Sequence, residues 1–289
     1  MAFEPVKESG GTLFVVATPI GNLEDLTFRA VKCLKEVDLV ACEDTRRTSK
    51  LLNHLGIKKP LISCFEHNEL SRIDELLGRI ALGENIALVS DAGTPTISDP
   101  GFALVRAAHE RGLTVCPIPG PSALVAALSV SGLPTDSFLF AGFLPRTESA
   151  RRTRLQELKT QRATLVFYES PHRVVDALAD MITVLGDREA FLSREITKIH
   201  EELKRARLSQ ISLELASREE VLGEIVLVVA GAPAEATKSG SIEDALVRFD
   251  AEVAMGATPR QAAKEAALAT GLSGRDVYAS AASRKGPGA

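Results

Sequence analysis

Residues 86–101 read IALVSDAGTPTISDPG, an apolar run followed by a turn dense in aspartate, glycine, proline, serine and threonine. A short apolar run that ends in turn residues predicts a buried strand. Similar runs recur through the first 120 residues, with a helical spacing of apolar residues between the first two. This alternation predicts an α/β domain with parallel strands over residues 1–120. The other runs are Thr12–Ala17, Val37–Cys42, Leu61–Cys64 and Thr114–Ile118.

A second set of such runs follows the turn at residues 117–121, where prolines fix the backbone and a glycine frees it. We predict a second α/β domain over residues 121–232, with helices at Ser149–Leu158 and His172–Leu185. Its predicted strands are Phe138–Gly142, Ala163–Tyr168, Ala190–Ser193 and Glu224–Ala230.

The composition changes after Gly231. Residues 232–240 are small and polar, and residues 241–285 contain three short, alanine-rich helical patterns. Pro259 stands where a helix can begin, and Ser273 can cap the last helix. The short, glycine-containing connection before Ser273 is compatible with a helix-turn-helix module. A helical appendage for packing or dimerisation is an equally good interpretation.

The charge of the chain limits how it can meet a nucleic acid. Its 289 residues include 34 Lys and Arg against 38 Asp and Glu, a net charge of −4. Such a chain does not coat RNA unspecifically, so any RNA contact needs a local basic patch. A basic segment at residues 146–162 is the first candidate, and a solvated helix face is its alternative. The predicted RNA contacts are Arg151, Arg152 and Arg154, with Arg275, Arg284 and Lys285 near the end of the chain.

The cysteines and the N-terminus give further expectations. Cys33, Cys42, Cys64 and Cys116 lie in apolar runs without metal-ligand spacing, so we expect buried free thiols and no bound metal. No basic segment precedes an apolar stretch at the N-terminus, and no apolar run approaches the roughly 20 residues that span a bilayer. We therefore expect a cytoplasmic protein.

Polar turns at the ends of the predicted strands are the candidate ligand-binding segments. The chain lacks both the G-x-G-x-x-G and the Walker A pattern, so a Rossmann dinucleotide site is unsupported. In open α/β sheets, ligands bind at the carboxyl ends of strands. For the turn at residues 90–101, the alternative is a purely structural turn in which Asp99 caps the next helix. The turns are residues 17–22, 43–47, 90–101, 119–123, 168–173, 193–198 and 223–224.

Taken in order, these turns resemble a known family. The segments ATPIGN, EDTR, SDAGTPTISDPG, PGPSA, YESPHR, REITK and GE resemble the tetrapyrrole methylase superfamily. More narrowly, they resemble the ribosomal RNA small subunit methyltransferase I family, which methylates a cytidine 2′-hydroxyl of 16S rRNA. The resemblance covers roughly residues 12–231. Tetrapyrrole-acting members typically have a G-x-G-x-G-D segment where this chain has ATPIGN, which favours the RNA branch.

The resemblance implies two α/β domains of tetrapyrrole-methylase type, with S-adenosylmethionine (SAM) in the cleft between them, and a homodimer. The implied partner is small-subunit ribosomal RNA, within the assembled or assembling subunit. A tetrapyrrole C-methyltransferase and a non-catalytic RNA-binding assembly factor are the alternatives. The implied SAM neighbours are Pro19, Asp91, Gly93, Thr94, Ser122, Ala123, Tyr168, Gly223 and Glu224.

A ribose hydroxyl is a poor nucleophile, so a base or a charge that stabilises the developing alkoxide would assist its methylation. Glu43, Asp44, Arg46, Arg173, Glu195 and Lys198 lie in the polar turns and are the candidates. We expect Glu195 or Lys198 near the hydroxyl, and Arg46 and Arg173 on phosphates. A structural ion pair between Arg194 and Glu195 is the alternative for that turn.

Overall fold

The computed structural model describes residues 10–65, 68–233, 241–270 and 272–284. These residues divide into two compact units. The larger unit runs to Ala230 and lacks only residues 160–162, and the smaller unit contains those three residues and the chain from Gly231 onward. Most of the predicted linker, together with Lys285, lies outside the described residues.

The first sheet of the larger unit is entirely parallel, as predicted, with strand order β3-β2-β4-β1-β5. All residues of β2 and β4 are buried, because helices pack on both faces of the sheet. The short apolar runs are therefore strands that are buried on both faces, as the sequence predicted. The strands are β1 Thr12–Val16, β2 Leu39–Cys42, β3 Leu61–Ser63, β4 Ile86–Val89 and β5 Thr114–Ile118.

The helices of this half begin where the strand-end turns finish. Asp44 caps the helix after β2 by accepting a hydrogen bond from the amide of Arg46. Cys33, Cys42 and Cys64 are buried in the apolar clusters on the two faces of the sheet, and Cys116 is half-buried. The helices are α1 Phe28–Glu36, α2 Thr45–His54, α3 Glu69–Ala81 and α4 Phe102–Glu110, with a 3₁₀ turn at Leu23–Asp25.

The second sheet has strand order β6-β7-β10-β8-β9 and is mixed. Only β6 and β7 are parallel, whereas β10 runs antiparallel to both of its neighbours, so the expectation of parallel pairs was wrong for most of this sheet. The sequence analysis also missed β9, a charged edge strand without an apolar run. The strands are β6 Phe138–Phe143, β7 Thr164–Glu169, β8 Glu189–Arg194, β9 Glu202–Arg207 and β10 Ile225–Val229.

Helices cover both faces of the second sheet as well. One face packs on a large cluster that includes Phe167 and Leu178, and the other packs on Ala127 and Leu128 of α5. Since α5 directly follows β5 of the first sheet, the turn at residues 119–122 connects the two halves. The helices are α5 Ala123–Val130, α6 Glu148–Leu158, α7 Val174–Leu185 and α8 Leu208–Ala216.

The smaller unit is a three-helix module with a small apolar core. Ser241 caps its first helix reciprocally with Asp244, and Pro259 is the first residue of the second helix, as predicted. Phe249, Val277 and several alanines fill the core. None of the helices that the structure describes is long and apolar enough to cross a membrane. The helices are α9 Ile242–Ala254, α10 Pro259–Thr270 and α11 Gly274–Arg284.

Candidate active site

A cavity of about 390 Å³ lies where the strand ends of the two sheets meet, within the range of small-ligand sites. Turns that follow β2, β4, β7 and β8 line it, together with the start of α5. The amino end of β10 also contributes, because β10 runs antiparallel to β7 and β8. The polar turns that the sequence singled out therefore do converge.

Most of the residues implied as SAM neighbours line this cavity. Pro19 and Gly223 do not, although each adjoins a residue that does, Ile20 and Glu224. Gly223 has a φ of +91°, and a β-carbon there would lie 2.3 Å from Cγ of Glu195, so only glycine fits. The lining residues of the set are Asp91, Gly93, Thr94, Ser122, Ala123, Tyr168 and Glu224.

Hydrogen bonds join three of the lining turns. Thr18 and Gly93 exchange backbone hydrogen bonds of 2.9 and 3.0 Å across an antiparallel bridge. The Thr94 hydroxyl donates to the carbonyl of Pro121 at 3.1 Å. Further along the same turn, Thr96 and Ser98 have positive φ angles of 75° and 62°. Residues other than glycine adopt such φ angles only at a cost in free energy. The backbone of this turn is therefore strained beside the cavity.

The polar lining of the cavity is mainly anionic. Glu43, Asp91, Asp99, Glu169 and Glu224 line it, and Arg47 is the cation that faces them among the described residues. Such a lining favours a positively charged ligand. No group of three or more His, Cys, Asp or Glu side chains in the described ranges is arranged to hold a metal ion.

Among the carboxylates that line the cavity, Asp99 is the one whose pKa is raised furthest. Burial, reinforced by the charges of Glu43 and Asp91, raises the pKa of Asp99 to about 6, although the Ser90 hydroxyl acts in the opposite direction. Burial and Asp91 also raise the pKa of Glu43. Asp99 does not cap α4, because the cap is Gly101 and no side chain bonds there. The expectation that Asp99 caps this helix, which was part of the structural alternative for the turn, was therefore wrong.

Tyr168 supplies an aromatic wall. Its hydroxyl accepts a hydrogen bond of 3.1 Å from the amide of Leu124, which holds the start of α5 beside β7. The ring makes edge contacts with Phe140 and Phe143, at centroid distances of 4.9 and 5.7 Å. Burial raises the pKa of the Tyr168 hydroxyl, so it stays protonated at neutral pH. This part of the cavity suits a flat, partly apolar group.

Glu169 is the most deeply buried carboxylate of the cavity. Its Oε1 accepts the amide of Ser170 at 2.8 Å, and Nε of Arg173 lies 3.6 Å from it. Its Oε2 is buried without a hydrogen-bond partner among the described residues. Burial raises the pKa of this group. The whole Glu169 side chain is 0% exposed, so this oxygen lies behind the cavity wall and does not face a ligand.

Glu195 and Lys198 lie beside the cavity rather than in its lining. Nζ of Lys198 donates to Oε1 of Glu195 at 2.8 Å and to Oε2 of Glu224 at 3.0 Å. The Lys198 side chain also packs on Gly21, where a β-carbon would lie 2.4 Å from its Cγ. Arg194 pairs with Glu202 instead of Glu195. Lys198 therefore ties the second half of the unit to the first.

The hydrogen bonds between Glu195, Lys198 and Glu224 determine the charges of Glu195 and Lys198. Burial alone would raise the pKa of Glu195, but Lys198 and the amide of Glu224 outweigh it and lower that pKa. Burial would likewise lower the pKa of Lys198, but Glu195 and Glu224 raise it. Both groups therefore stay charged at neutral pH. The protonated Lys198 has no lone pair to accept a proton, and the lowered pKa of Glu195 makes its carboxylate a weak base.

The arginines of the turns are placed differently from expectation. Arg46 does not line the cavity, and its exposed side chain pairs with its neighbour Asp44 at 2.7 Å. The next residue, Arg47, lines the cavity, with a nitrogen 3.3 Å from Asp91. Arg173 donates to the carbonyls of Leu144 and Pro145, which occupies its guanidinium inside the fold. The sequence analysis missed Arg47, because successive helical residues point about 100° apart.

Known proteins resemble this chain in sequence and in fold. The family model of the tetrapyrrole (corrin/porphyrin) methylases matches residues 12–212. A protein named ribosomal RNA small subunit methyltransferase I, from Halalkalibacterium halodurans, is 46% identical over 94% of this chain and 95% of its own length. This chain belongs to the ribosomal RNA small subunit methyltransferase I family. The resemblance read from the sequence is confirmed.

Two further comparisons show how far the likeness extends. A ribosomal RNA small subunit methyltransferase I of Thermotoga maritima is 49% identical over 99% of its own length but only 76% of this chain. The crystal structure of uroporphyrin-III-C-methyltransferase from Thermus thermophilus has a TM-score of 0.54 and 19% identity, and covers 75% of this chain and 94% of its own. At that identity the second likeness concerns the fold alone, which confirms the predicted two-sheet α/β architecture.

In the predicted basic segment, residues 146–162, most of the arginines that were expected to contact RNA form ion pairs with acidic side chains of the protein. Arg151 is only 6% exposed and its Nε lies 2.6 Å from Asp180. The expectation that Arg151 contacts RNA was therefore wrong, because its charge is buried and neutralised. Arg152 is half-exposed and contacts Asp180 and Glu148. Arg154 pairs with Glu157 on the surface of α6.

Proposed function

We propose that this protein is a SAM-dependent methyltransferase that methylates the 2′-hydroxyl of a cytidine in 16S ribosomal RNA of the small subunit. The relatives' names support the class of reaction and the RNA. The observation that carries the proposal is the anionic cavity at the convergent strand ends. SAM carries a sulfonium and an ammonium group against one carboxylate, so an anionic lining suits it.

The proposed SAM site consists of the lining turns. Asp91, Gly93 and Thr94 would hold SAM from the first half, and Ser122, Ala123, Tyr168 and Glu224 from the second. Pro19 and Gly223 would act indirectly, by shaping the turns that present Ile20 and Glu224. The aromatic wall at Tyr168 fits a flat group. When bound, SAM supplies the electrophilic methyl group.

We assign the proton-accepting role to Asp99 rather than to Glu195 or Lys198. Asp99 lines the cavity, and its pKa of about 6 leaves it ionised yet basic enough at neutral pH to accept the hydroxyl proton. Glu43, whose pKa is also raised, faces the same cavity. The Glu195–Lys198 pair instead positions Glu224 and braces Gly21. Asp99 would accept the proton of the ribose hydroxyl as the O–CH₃ bond forms and the S–CH₃ bond of SAM breaks, which would leave S-adenosylhomocysteine.

Arg47 is the proposed phosphate contact at the cavity, because it is exposed and lies beside the lining carboxylates. Arg46, at the outer surface of α2, is a more distant candidate, and Arg173 is occupied by backbone carbonyls. Arg152 and Arg154 remain proposed contacts for RNA farther from the site. We also propose the homodimer, cytoplasmic action, and an assembled or assembling subunit as substrate.

Methyl transfer to small ribosomal subunits from a strain that lacks the gene tests the proposal. The purified protein and labelled SAM should give a 2′-O-methylcytidine in 16S rRNA, detected by mass spectrometry of nuclease digests. A methyl group on a base carbon, or transfer to a tetrapyrrole instead of RNA, would contradict it. SAM binding without any transfer would favour the non-catalytic assembly factor.

A further inference from the structure

The helical module carries a second concave surface. A hollow of about 970 Å³ is bordered by one face of α10 and the start of α11. Its charged lining residues are Arg260, Lys264 and Arg275, and Tyr278 lies beside them, 47% exposed. The family model ends at residue 212, well before α9, so the methylase fold does not account for this surface. We call Arg260, Lys264, Arg275 and Tyr278 the module patch.

The geometry of the two helices gathers these side chains. Arg260, Lys264 and Leu268 follow one another at intervals of four on α10, and therefore share one face of that helix. Arg275 and Tyr278 are three residues apart on α11. The helices approach closely at Gly274, where a β-carbon would lie 3.8 Å from Cβ of Ala267. The side chains of the module patch therefore border a groove between two packed helices.

The cations of the patch are unpaired, unlike those of α6. In the described part of the chain, Arg260, Lys264 and Arg275 have no hydrogen bond or ion pair, whereas Arg151, Arg152 and Arg154 all have carboxylate partners. Acidic side chains of the module, four of them on α9, do not line the groove. A weakly acidic protein thus concentrates free positive charge on one small surface, which favours a polyanion.

We infer that the module patch binds a single-stranded segment of ribosomal RNA, with phosphates on Arg260, Lys264 and Arg275 and an unpaired base on Tyr278. Half-exposed tyrosine beside free cations is the combination that holds single strands, since a base stacks on the ring while the cations follow the backbone. The exposed Leu268 extends the apolar surface beside the ring. An acidic peptide would use the charges but not the ring. This inference rests on the proposed function, which supplies RNA as the partner.

The test uses the full chain and a fluorescent single-stranded oligoribonucleotide from the small-subunit RNA. Replacement of Arg260, Lys264 and Arg275 together by Ala should weaken binding about tenfold or more at low salt. It should also reduce the salt slope of log K by about 2, because each of the three phosphate contacts contributes roughly 0.7 for a single strand. Unchanged affinity and slope would overturn the inference.

Single substitutions guard against loss of the fold. Lys264→Gln should lower the slope by about 0.7, whereas Arg248→Gln, which removes one exposed charge of α9 outside the groove, should leave it unchanged. If Lys264→Gln and Arg248→Gln lowered the slope equally, net charge alone would explain RNA binding, and the module patch would not be a specific binding site. Circular dichroism and the melting temperature confirm folding in each case.

The tyrosine separates RNA from other polyanions. Tyr278→Ala should weaken RNA binding about fivefold or more, and Tyr278→Phe should preserve it, because stacking needs the ring and not the hydroxyl. If Tyr278→Ala has no effect and polyglutamate competes as well as RNA, the patch binds acidic protein and the RNA assignment is wrong. SAM binding, measured on every variant, should not change. Failure of the wild type to methylate RNA would refute the proposed function separately, without altering these binding comparisons.

Discussion

Two groups of carboxylates lie within the same site, and their surroundings give them opposite properties. Asp99 and Glu43 line the cavity, where burial and neighbouring negative charges raise the pKa of each. Glu195 lies beside the cavity, where Lys198 and a backbone amide lower its pKa. Residue type and position after a strand do not distinguish the two groups. Their partners do, and we therefore assign proton transfer to the first group and positioning to the second.

The largest expected difference is between Asp99→Asn and Glu195→Gln. Asp99→Asn removes the proposed base and should lower kcat at saturating SAM by about 10²- to 10⁴-fold. Glu195→Gln retains an oxygen for the Glu224 amide and should change kcat by less than about fivefold. Single-turnover methylation of small subunits measures both rates. A larger loss in Glu195→Gln than in Asp99→Asn would reverse the assignment.

The next comparison concerns backbone approach to the cofactor. Gly93 lines the cavity with a φ of +83°, and Gly93→Val should weaken SAM binding about tenfold or more. Gly83→Val is the matched control, because Gly83 has a φ of +101° and nothing lies within 4 Å of its β-carbon position. The control carries similar backbone strain away from the cavity and should bind SAM normally in calorimetry. Equal losses would show that strain, rather than contact, explains the result.

A smaller effect separates two neighbouring arginines. Arg47→Ala should weaken binding to small subunits and reduce the salt slope by about 1, because Arg47 lies at the cavity. Arg46→Ala should have less effect, because Arg46 is paired with Asp44 on the outer surface. Filter binding across a salt series measures both slopes. The opposite order would move the RNA path to the outer face of α2.

The sequence predicted the strands of the first sheet because each is a short apolar run between turns. It could not predict the direction of β10, since an apolar run buried on both faces looks alike in parallel and antiparallel neighbours. The edge strand β9 was missed because alternate residues face solvent and are charged. Strand topology that depends on long-range pairing is therefore the part that the sequence left undetermined.

The same limit applies to the site. Strand-end turns predicted where it would lie, because the carboxyl ends of parallel strands share one edge of a sheet. Which side chains enter the cavity depends on helix rotation, as for Arg46 and Arg47, and on the exact cap, as for Asp99 and Gly101. Whether an arginine is free to bind RNA depends on its ion-pair partner. Asp180 lies far along the chain from Arg151 yet neutralises it, so the sequence alone could not show this pair.

Calorimetric titration of SAM across pH 5 to 8 tests the central claim, that ionised cavity carboxylates hold a cationic cofactor. A group with a pKa of about 6 is almost fully ionised at pH 8 and only about one-tenth ionised at pH 5. SAM affinity should therefore rise by up to about tenfold from pH 5 to pH 7 and then level off, and Asp99→Asn should flatten this dependence. An affinity that is constant with pH in the wild-type protein, or a pH dependence that Asp99→Asn leaves unchanged, would contradict the account.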